Sequence, residues 1–173
     1  MRNSNSASIA LLYQNRTELE QFIQEYCLPA RQEDSSWLVM IHTGCHTPEG
    51  AVAIAKHVSE LLPDAKILGT SASAVIYHGS IYEDGCLLIF TRLLHTQVKV
   101  QPLSFADKMP GALAEETAGL LTPDSKAMFA FFTDQYMQMQ PYLDCLEETG
   151  ADIPAAGGMI TNNLYGTFAF DEN

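Results

Sequence analysis

Residues 37–73 read WLVMIHTGCHTPEGAVAIAKHVSELLPDAKILGTSAS. Trp37 to Ile41 is an unbroken apolar run of strand length, the pattern of a strand covered on both faces. A polar loop from His42 to Thr47 follows, and Pro48 stands where its fixed φ suits a first helical turn. Ala51, Ile54, Ala55, Val58, Leu61 and Leu62 then recur at helical spacing until Pro63 and Asp64 stop the helix. Lys66 to Leu68 opens a second strand that runs into Gly69-Thr70-Ser71-Ala72-Ser73. Strand, helix and strand in this order form a crossover unit, which calls for two parallel strands with a helix packed on them. The fold class is therefore α/β.

Working outward, Ser8 to Tyr13 reads as a strand, and Thr17 starts a helix with Glu20 at the capping-box position. Leu19, Phe22, Ile23 and Tyr26 keep helical spacing to Cys27, Pro29 ends the helix, and Arg31 to Ser36 is a polar loop. Beyond Ser73, Ala74 to Tyr77 continues extended, Gly79 turns the chain, and Cys86 to Thr91 is a further strand. Gln97 to Leu103 alternates through Val98 and Val100, which predicts a strand with one wet face. Pro110 and Gly111 open a helix to Leu121.

The order of elements then returns. Ala127 to Phe132 (AMFAFF) reads as a buried strand, Thr133 to Gln138 as a loop, and Gln140 to Thr149 as a helix with Tyr142, Leu143 and Leu146 inward. Ile153 to Ala156 is a short extended piece leading into Gly157-Gly158, and Leu164 to Phe170 alternates as a terminal strand. Residues 37–92 and 127–170 thus repeat one plan, poorly in residue identity but clearly in order. The expected architecture is internally duplicated strand–helix–strand units with added antiparallel hairpins, forming a mixed sheet with flanking helices and pseudo-two-fold symmetry. Residues 1–36 supply an N-terminal strand and helix, and residues 37–173 form the duplicated domain.

The chain has 173 residues, 47% of them hydrophobic and 17% charged, which is globular composition and excludes disorder, collagen and coiled coil. The apolar runs fall far short of the ~20 residues needed to span a bilayer, and Met1 to Ser8 is polar with no signal-peptide core. A cytoplasmic location is expected. A net charge of −12 disfavours nucleic acid and anionic lipid as partners. Cys27, Cys45, Cys86 and Cys145 form no Cys-x-x-Cys pair and read as reduced thiols.

In open α/β sheets ligands bind beyond the carboxyl ends of parallel strands. Four loops lie there: His42 to Thr47, Gly69 to Ser73, Thr133 to Gln138 and Gly157 to Asn163. Their glycines, hydroxyls and amides offer groups that hold a small polar ligand without formal charge. Each also has a plainer reading as turn chemistry. His42, Cys45 and His46, with His78 or Cys86, suggest a zinc site, but alternation along an extended segment turns His42 and Cys45 to opposite faces, so no metal is expected. Cys45 with His46 or His42 suggests a nucleophile and base, with no third group to orient the base except Asp134 in the other half. There is no Gly-x-Ser-x-Gly elbow, and Gly69-Thr-Ser-Ala-Ser73 lacks the lysine of a phosphate-binding loop. No catalysis and no cofactor are expected.

Pro63 to Gly79 (PDAKILGTSASAVIYHG) resembles the FIST N-terminal sensory domain, whose pattern there is a proline, an apolar strand, Gly-x-Thr-Thr-x-Gly-Glu-Ile and a closing glycine. Gly69, Ser71, Ile76 and Gly79 fit without a gap. Pro154-Ala-Ala-Gly157-Gly158-Met-Ile-Thr-Asn162-Asn163 is similar to the family's second hallmark, and Gly166-Thr167-Phe168 matches as well. The likeness covers about Trp37 to Asn173. Val75 stands where the family has Glu, Ala74 where it has Gly, Ala72 where it has the second Thr, and Asn162 where it has Asp. The resemblance implies a cytoplasmic input domain of bacterial signalling proteins that binds a small ligand, amino acids among the candidates. It further implies a FIST C-terminal domain and outputs such as diguanylate cyclases in cyclic-di-GMP signalling, so the chain reads as part of a longer protein.

On this reading the ligand residues are Thr43, Gly44 and Cys45, Gly69, Thr70 and Ser71, Asp134, and Gly157 and Gly158. The glycines allow close backbone approach, the hydroxyls orient the ligand, and Asp134 pairs an amino group. Two other classes stand beside it. One is a ligand-free interaction module whose edge near Leu164 to Phe170 takes a further domain or a second copy as a homodimer. The other is an enzyme dependent on Cys45.

Overall fold

The computed structural model describes residues 6–30, 35–104, 108–133, 136–150, 152–160 and 162–171. By compactness the chain divides into two units, one running to Val100 and resuming at Thr161, the other Gln101–Ile160.

The first unit opens with β1 (Ser6–Leu12) and α1 (Arg16–Phe22). Asn15, not Thr17, caps α1: its side chain accepts the Glu18 N–H, satisfying one of the free donors of the first turn. The helix widens into a π-turn over Ile23–Cys27 and tightens at Leu28–Ala30, where Pro29 lies. Strand β2 (Ser35–Thr43) leads to α2 (Pro48–Leu61), capped by the Thr47 hydroxyl on the Gly50 N–H with Pro48 in the first turn, and then to β3 (Lys66–Ser71). A hairpin of β4 (Val75–Tyr77) and β5 (Ser80–Tyr82) follows, and its two-residue loop has positive φ at both His78 (48°) and Gly79 (79°), as a type I′ turn requires. Strand β6 (Cys86–Leu94) closes the sequence of long strands.

These strands build a mixed sheet. With β9 (Ala169–Phe170) the order is β1-β6-β2-β3-β9. The crossover makes β2 and β3 parallel, while β6 lies between β1 and β2, antiparallel to both. One sheet face carries Leu11, Val39, Ile41, Ile67, Leu88 and Phe90, all buried in one core with Leu19, Ile23 and Cys27 of the first helix and Ile54, Ala55 and Val58 of α2. Each large side chain among them contributes about 1.5–3 kcal/mol. Burial in β2 alternates: Trp37, Val39, Ile41 and Thr43 are buried, and Leu38, Met40 and His42 are half-buried. The expected cover on both faces is therefore complete on the helix side alone. The two helices are tied by His57, whose Nε2 lies 3.0 Å from Glu20 and whose Nδ1 lies 3.2 Å from Glu60.

The second unit holds α3 (Pro110–Leu120), β7 (Met128–Phe132), α4 (Tyr136–Glu148) and β8 (Ala155–Met159). Strands β7 and β8 are parallel, as the repeated crossover predicts, but they form a two-stranded sheet of their own. Leu113 and Ala114 of α3 and Tyr142 and Leu146 of α4 make its buried core, with Met128 and Phe132 packed against them. The inward Tyr142 donates its hydroxyl to Thr117 Oγ1 at 3.0 Å.

Three expectations are corrected. Ala127 to Phe132 is not a buried strand, since Phe129 is 61% exposed. Residues 97–103 are irregular despite their alternation, and among the described residues they pair with no strand. Of Leu164 to Phe170 only Ala169–Phe170 is strand, and Leu164 is exposed; the preceding residues make a tight turn in which Asn163 and Gly166 exchange backbone hydrogen bonds.

Candidate functional site

Six of the nine residues expected to meet a ligand lie together at the carboxyl ends of β2 and β3 in the first unit. Thr43 ends β2 and is fully buried. Its Oγ1 accepts the His46 backbone N–H at 3.2 Å and lies 2.8 Å from His46 Nδ1. Cys45 Sγ approaches the same Nδ1 at 3.1 Å, and the Tyr13 ring packs against the imidazole in a T-shaped contact with centroids 6.0 Å apart. Cys86 lies directly across from Thr43 on β6. Gly44 donates its N–H to Gly85, and a Cβ there would meet the Glu83 carbonyl oxygen at 2.2 Å, so this loop needs glycine for close backbone approach.

From β3, Thr70 Oγ1 lies 2.7 Å from His42 Nδ1 on the sheet face opposite the helices. Gly69 leaves room for the Phe170 ring, whose atoms come within 2.1 Å of where a Cβ would be. The Ser71 hydroxyl accepts the Phe168 N–H at 3.0 Å, and the Ser71 N–H donates to the Phe168 carbonyl at 2.8 Å.

One residue missed by sequence reasoning organises the cluster. Asn163 donates its side-chain amide to the carbonyls of Thr43 (3.2 Å) and His46 (3.0 Å), and its Oδ1 accepts the Tyr165 N–H. The Thr43 carbonyl also accepts the Ala72 N–H, so one oxygen joins the two loops. The 43–46 turn is thus fixed by a side chain 120 positions downstream. The only signal for this in the sequence is the Asn162-Asn163 pair of the second hallmark.

The electrostatics are those of neutral groups. Burial holds His42 and His46 below the usual imidazole pKa. Burial also raises Cys45, reinforced by Asp84 and partly offset by the Thr43 hydroxyl. Cys86 is pushed up to about 12 by burial. A thiol held up and an imidazole held down both oppose the proton transfer that would make a thiolate–imidazolium pair. His42 and Cys45 do lie on opposite sides of the sheet, His42 beside Thr70 and Cys45 against the helix-side core. Among the described residues no group of three or more His, Cys, Asp or Glu side chains could hold a metal ion.

The remaining expected residues do not join this cluster. Asp134 lies outside the described residues. Gly157 and Gly158 belong to β8 of the second unit. Gly157 has its own structural reason: with φ at +152° its Cβ would fall 1.7 Å from the Ala130 carbonyl oxygen of β7. An open depression along α2 is lined by Pro48, Glu49, Val52, Ala53 and Lys56 and includes none of the expected residues. No helix among the described residues is long and apolar enough to cross a membrane.

Neither the curated proteins nor the solved structures yield a match to this chain. The FIST N domain profile does match, over residues 38–173, a span that includes β2 from Leu38 on, α2, β3 and the Asn163 turn that binds them together. The chain belongs to the FIST N domain family of sensory signalling domains.

Proposed function

We propose that the carboxyl end of the β2–β3 pair binds a small polar ligand, an amino acid or similar metabolite, and that the bound state is passed to downstream sensory and output domains. The observation that carries this reading is the cluster Thr43, Gly44, Cys45, Gly69, Thr70 and Ser71, gathered where parallel strands of an α/β sheet offer ligand-binding loops. Many polar groups of these loops already hold one another in place: Thr43 and His46 by Asn163, Ser71 by Phe168. Such a preorganised frame leaves the half-buried His42, bonded to the buried Thr70 hydroxyl, as the polar contact facing away from the helix core. Binding would favour one arrangement of the loops, and only differential affinity for the two arrangements could transmit a signal.

The Cys45 thiol held up and the His46 imidazole held down weigh against a cysteine-dependent enzyme; the family match supports a signalling role, which on this reading is that of a cytoplasmic input domain with cyclic-di-GMP enzymes as one output class. The experiment is a thermal-shift screen of the chain against amino acids and small metabolites. A ligand at ~100 times its Kd adds ~2.7 kcal/mol, several degrees for a domain of this size. Thr70→Val, which keeps shape and removes the hydroxyl beside His42, should abolish most of that shift. A shift that Thr70→Val leaves intact would place the ligand elsewhere, and the absence of any shift would argue against binding by these residues alone.

A further inference from the structure

The outward face of α2 carries a stripe of side chains that the core does not use. Ile54, Ala55 and Val58 enter the core, whereas Glu49, Val52, Ala53 and Lys56 line the open depression along the helix. Positions 49, 52, 53 and 56 keep helical spacing, so these four side chains share one face over ~10 Å of axis. Val52 is half-buried and Ala53 exposed, which gives the stripe a small apolar floor, and the exposed Glu49 and Lys56 stand at its two ends.

The two charges are free to serve a partner. Among the described residues neither enters an ion pair, unlike His57 with Glu20 and Glu60 or Lys108 with Glu116. Their arrangement also says which partner fits. With 21 acidic residues against nine Lys and Arg, the chain as a whole repels a second copy of itself. This stripe is different, because it presents both signs, one on each side of an apolar centre. Glu49 and Lys56 lie equally far from the point between Val52 and Ala53. A surface with opposite charges at equal distances from its middle is complementary to itself under a two-fold rotation.

We infer that the α2 face is a contact between two copies of this chain, packed with their helices antiparallel about a two-fold axis that passes between Val52 and Ala53. That axis sets Glu49 of each copy beside Lys56 of the other, so both pairs form at once, whereas a parallel packing sets like charge beside like. Small side chains at the centre let the helices approach to the ~8 Å lower limit of helix packing, and the aliphatic stem of Lys56 covers apolar floor while its head stays in water. The stripe is far smaller than the about 20–30 residues a side of a standard interface, so the association is weak and depends on concentration. None of the loop residues at 43–45 or 69–71 belongs to it, so the contact stands apart from ligand binding there.

The test is sedimentation equilibrium of the whole chain in reducing buffer, from about 10 μM to about 1 mM, where a reversible monomer–dimer equilibrium is expected. Glu49→Lys and Lys56→Glu each turn both pairs from attraction to repulsion, so each alone should weaken dimerisation ten-fold or more. An equimolar mixture of the two variants restores both pairs in the mixed dimer and should associate about as well as the parent. The chain carrying both substitutions should do the same. Rescue by mixing also shows that the single variants are folded. Ala53→Arg, at an exposed position that the fold tolerates, places two like charges at the axis and should abolish the dimer. A chain that stays monomeric to about 1 mM, a dimer that the single reversals leave intact, or a mixture no better than its components would overturn the inference.

Discussion

The strand–helix–strand unit of residues 35–71 and that of residues 128–159 share their order and their parallel pairing, yet their surroundings are opposite. In the first, β2 and β3 are flanked on both edges, and the buried core runs from Leu11 to Phe90. In the second, β7 and β8 stand as a pair, and the buried core is Leu113, Ala114, Tyr142 and Leu146. The difference shows that a crossover unit supplies direction and handedness but not burial. Burial comes from the strands that join its edges, and in the first unit it is β6 that brings them.

The largest expected effect follows directly. Phe90 is fully buried in β6, across from Ile9 and Val39, with its ring 5.4 Å from that of Phe22. Phe90→Ala should cost about 3–5 kcal/mol, from lost transfer energy and the cavity left behind. Phe129→Ala, in the second unit's strand, should cost less than about 0.5 kcal/mol, because little of its surface is removed from water. Urea denaturation followed by circular dichroism, with the single tryptophan at buried Trp37 reporting the first unit, measures both. A loss at Phe129 approaching that at Phe90 would break the comparison, since it would mean that β7 is covered after all.

The sequence carried the first unit well because its signals are local. WLVMI, the Ala51 to Leu62 stripe and KILGTS each specify one element, and Pro48 and Pro63 bound the helix between them. Where pairing decides, local pattern failed. Val98 and Val100 alternate as a strand should, but alternation cannot supply a neighbour. AMFAFF reads as buried because it is apolar, yet Phe129 is exposed, since β8 is the one strand paired with β7 among the described residues. In the candidate site, the glycines and hydroxyls at 43–45 and 69–71 were legible from loop position alone. Asn163 was not, since an amide that reaches across 120 positions leaves no mark near Thr43. The capping of α1 shows the same limit at short range: Asn15 and Thr17 are both good caps, and geometry selected Asn15.

Asn163 offers a sharper test of how the two ends of the first unit depend on each other. Asn163→Ala removes two donors and leaves the His46 carbonyl without that partner, which should cost about 1–3 kcal/mol. Asn163→Asp keeps the oxygen that accepts from Tyr165 but sets a carboxylate against the two carbonyls, so it should be at least as damaging. Amide exchange should quicken at residues 44–46 in both variants and stay unchanged in α3 and α4. Unchanged exchange at 44–46 would show that the hydrogen bonds from Gly44 to Gly85 and from Ala72 to Thr43 hold the turn by themselves.

The smallest effect separates the units by acidity. All five histidines (His42, His46, His57, His78 and His95) precede residue 101, so the 101–160 unit has none to titrate. Burial lowers the pKa of His42 and His46 below 6.5 in the folded chain. Between those lowered values and 6.5 the unfolded chain binds more protons than the folded one, so stability rises with pH through this range. The contribution is fully present above 6.5 and is lost as pH falls toward the folded values. His46→Gln should flatten that decline below pH 6.5 while leaving the shape at higher pH unchanged. The alkaline side has the opposite sign: burial pushes Cys27 and Cys86 from 9.0 up to about 12, so their contribution is present below 9.0 and is lost as pH rises toward about 12. Urea midpoints of the parent and His46→Gln chains across these ranges measure both limbs. An acid decline that His46→Gln leaves untouched would assign it to groups other than the imidazole held between Thr43, Cys45 and Tyr13.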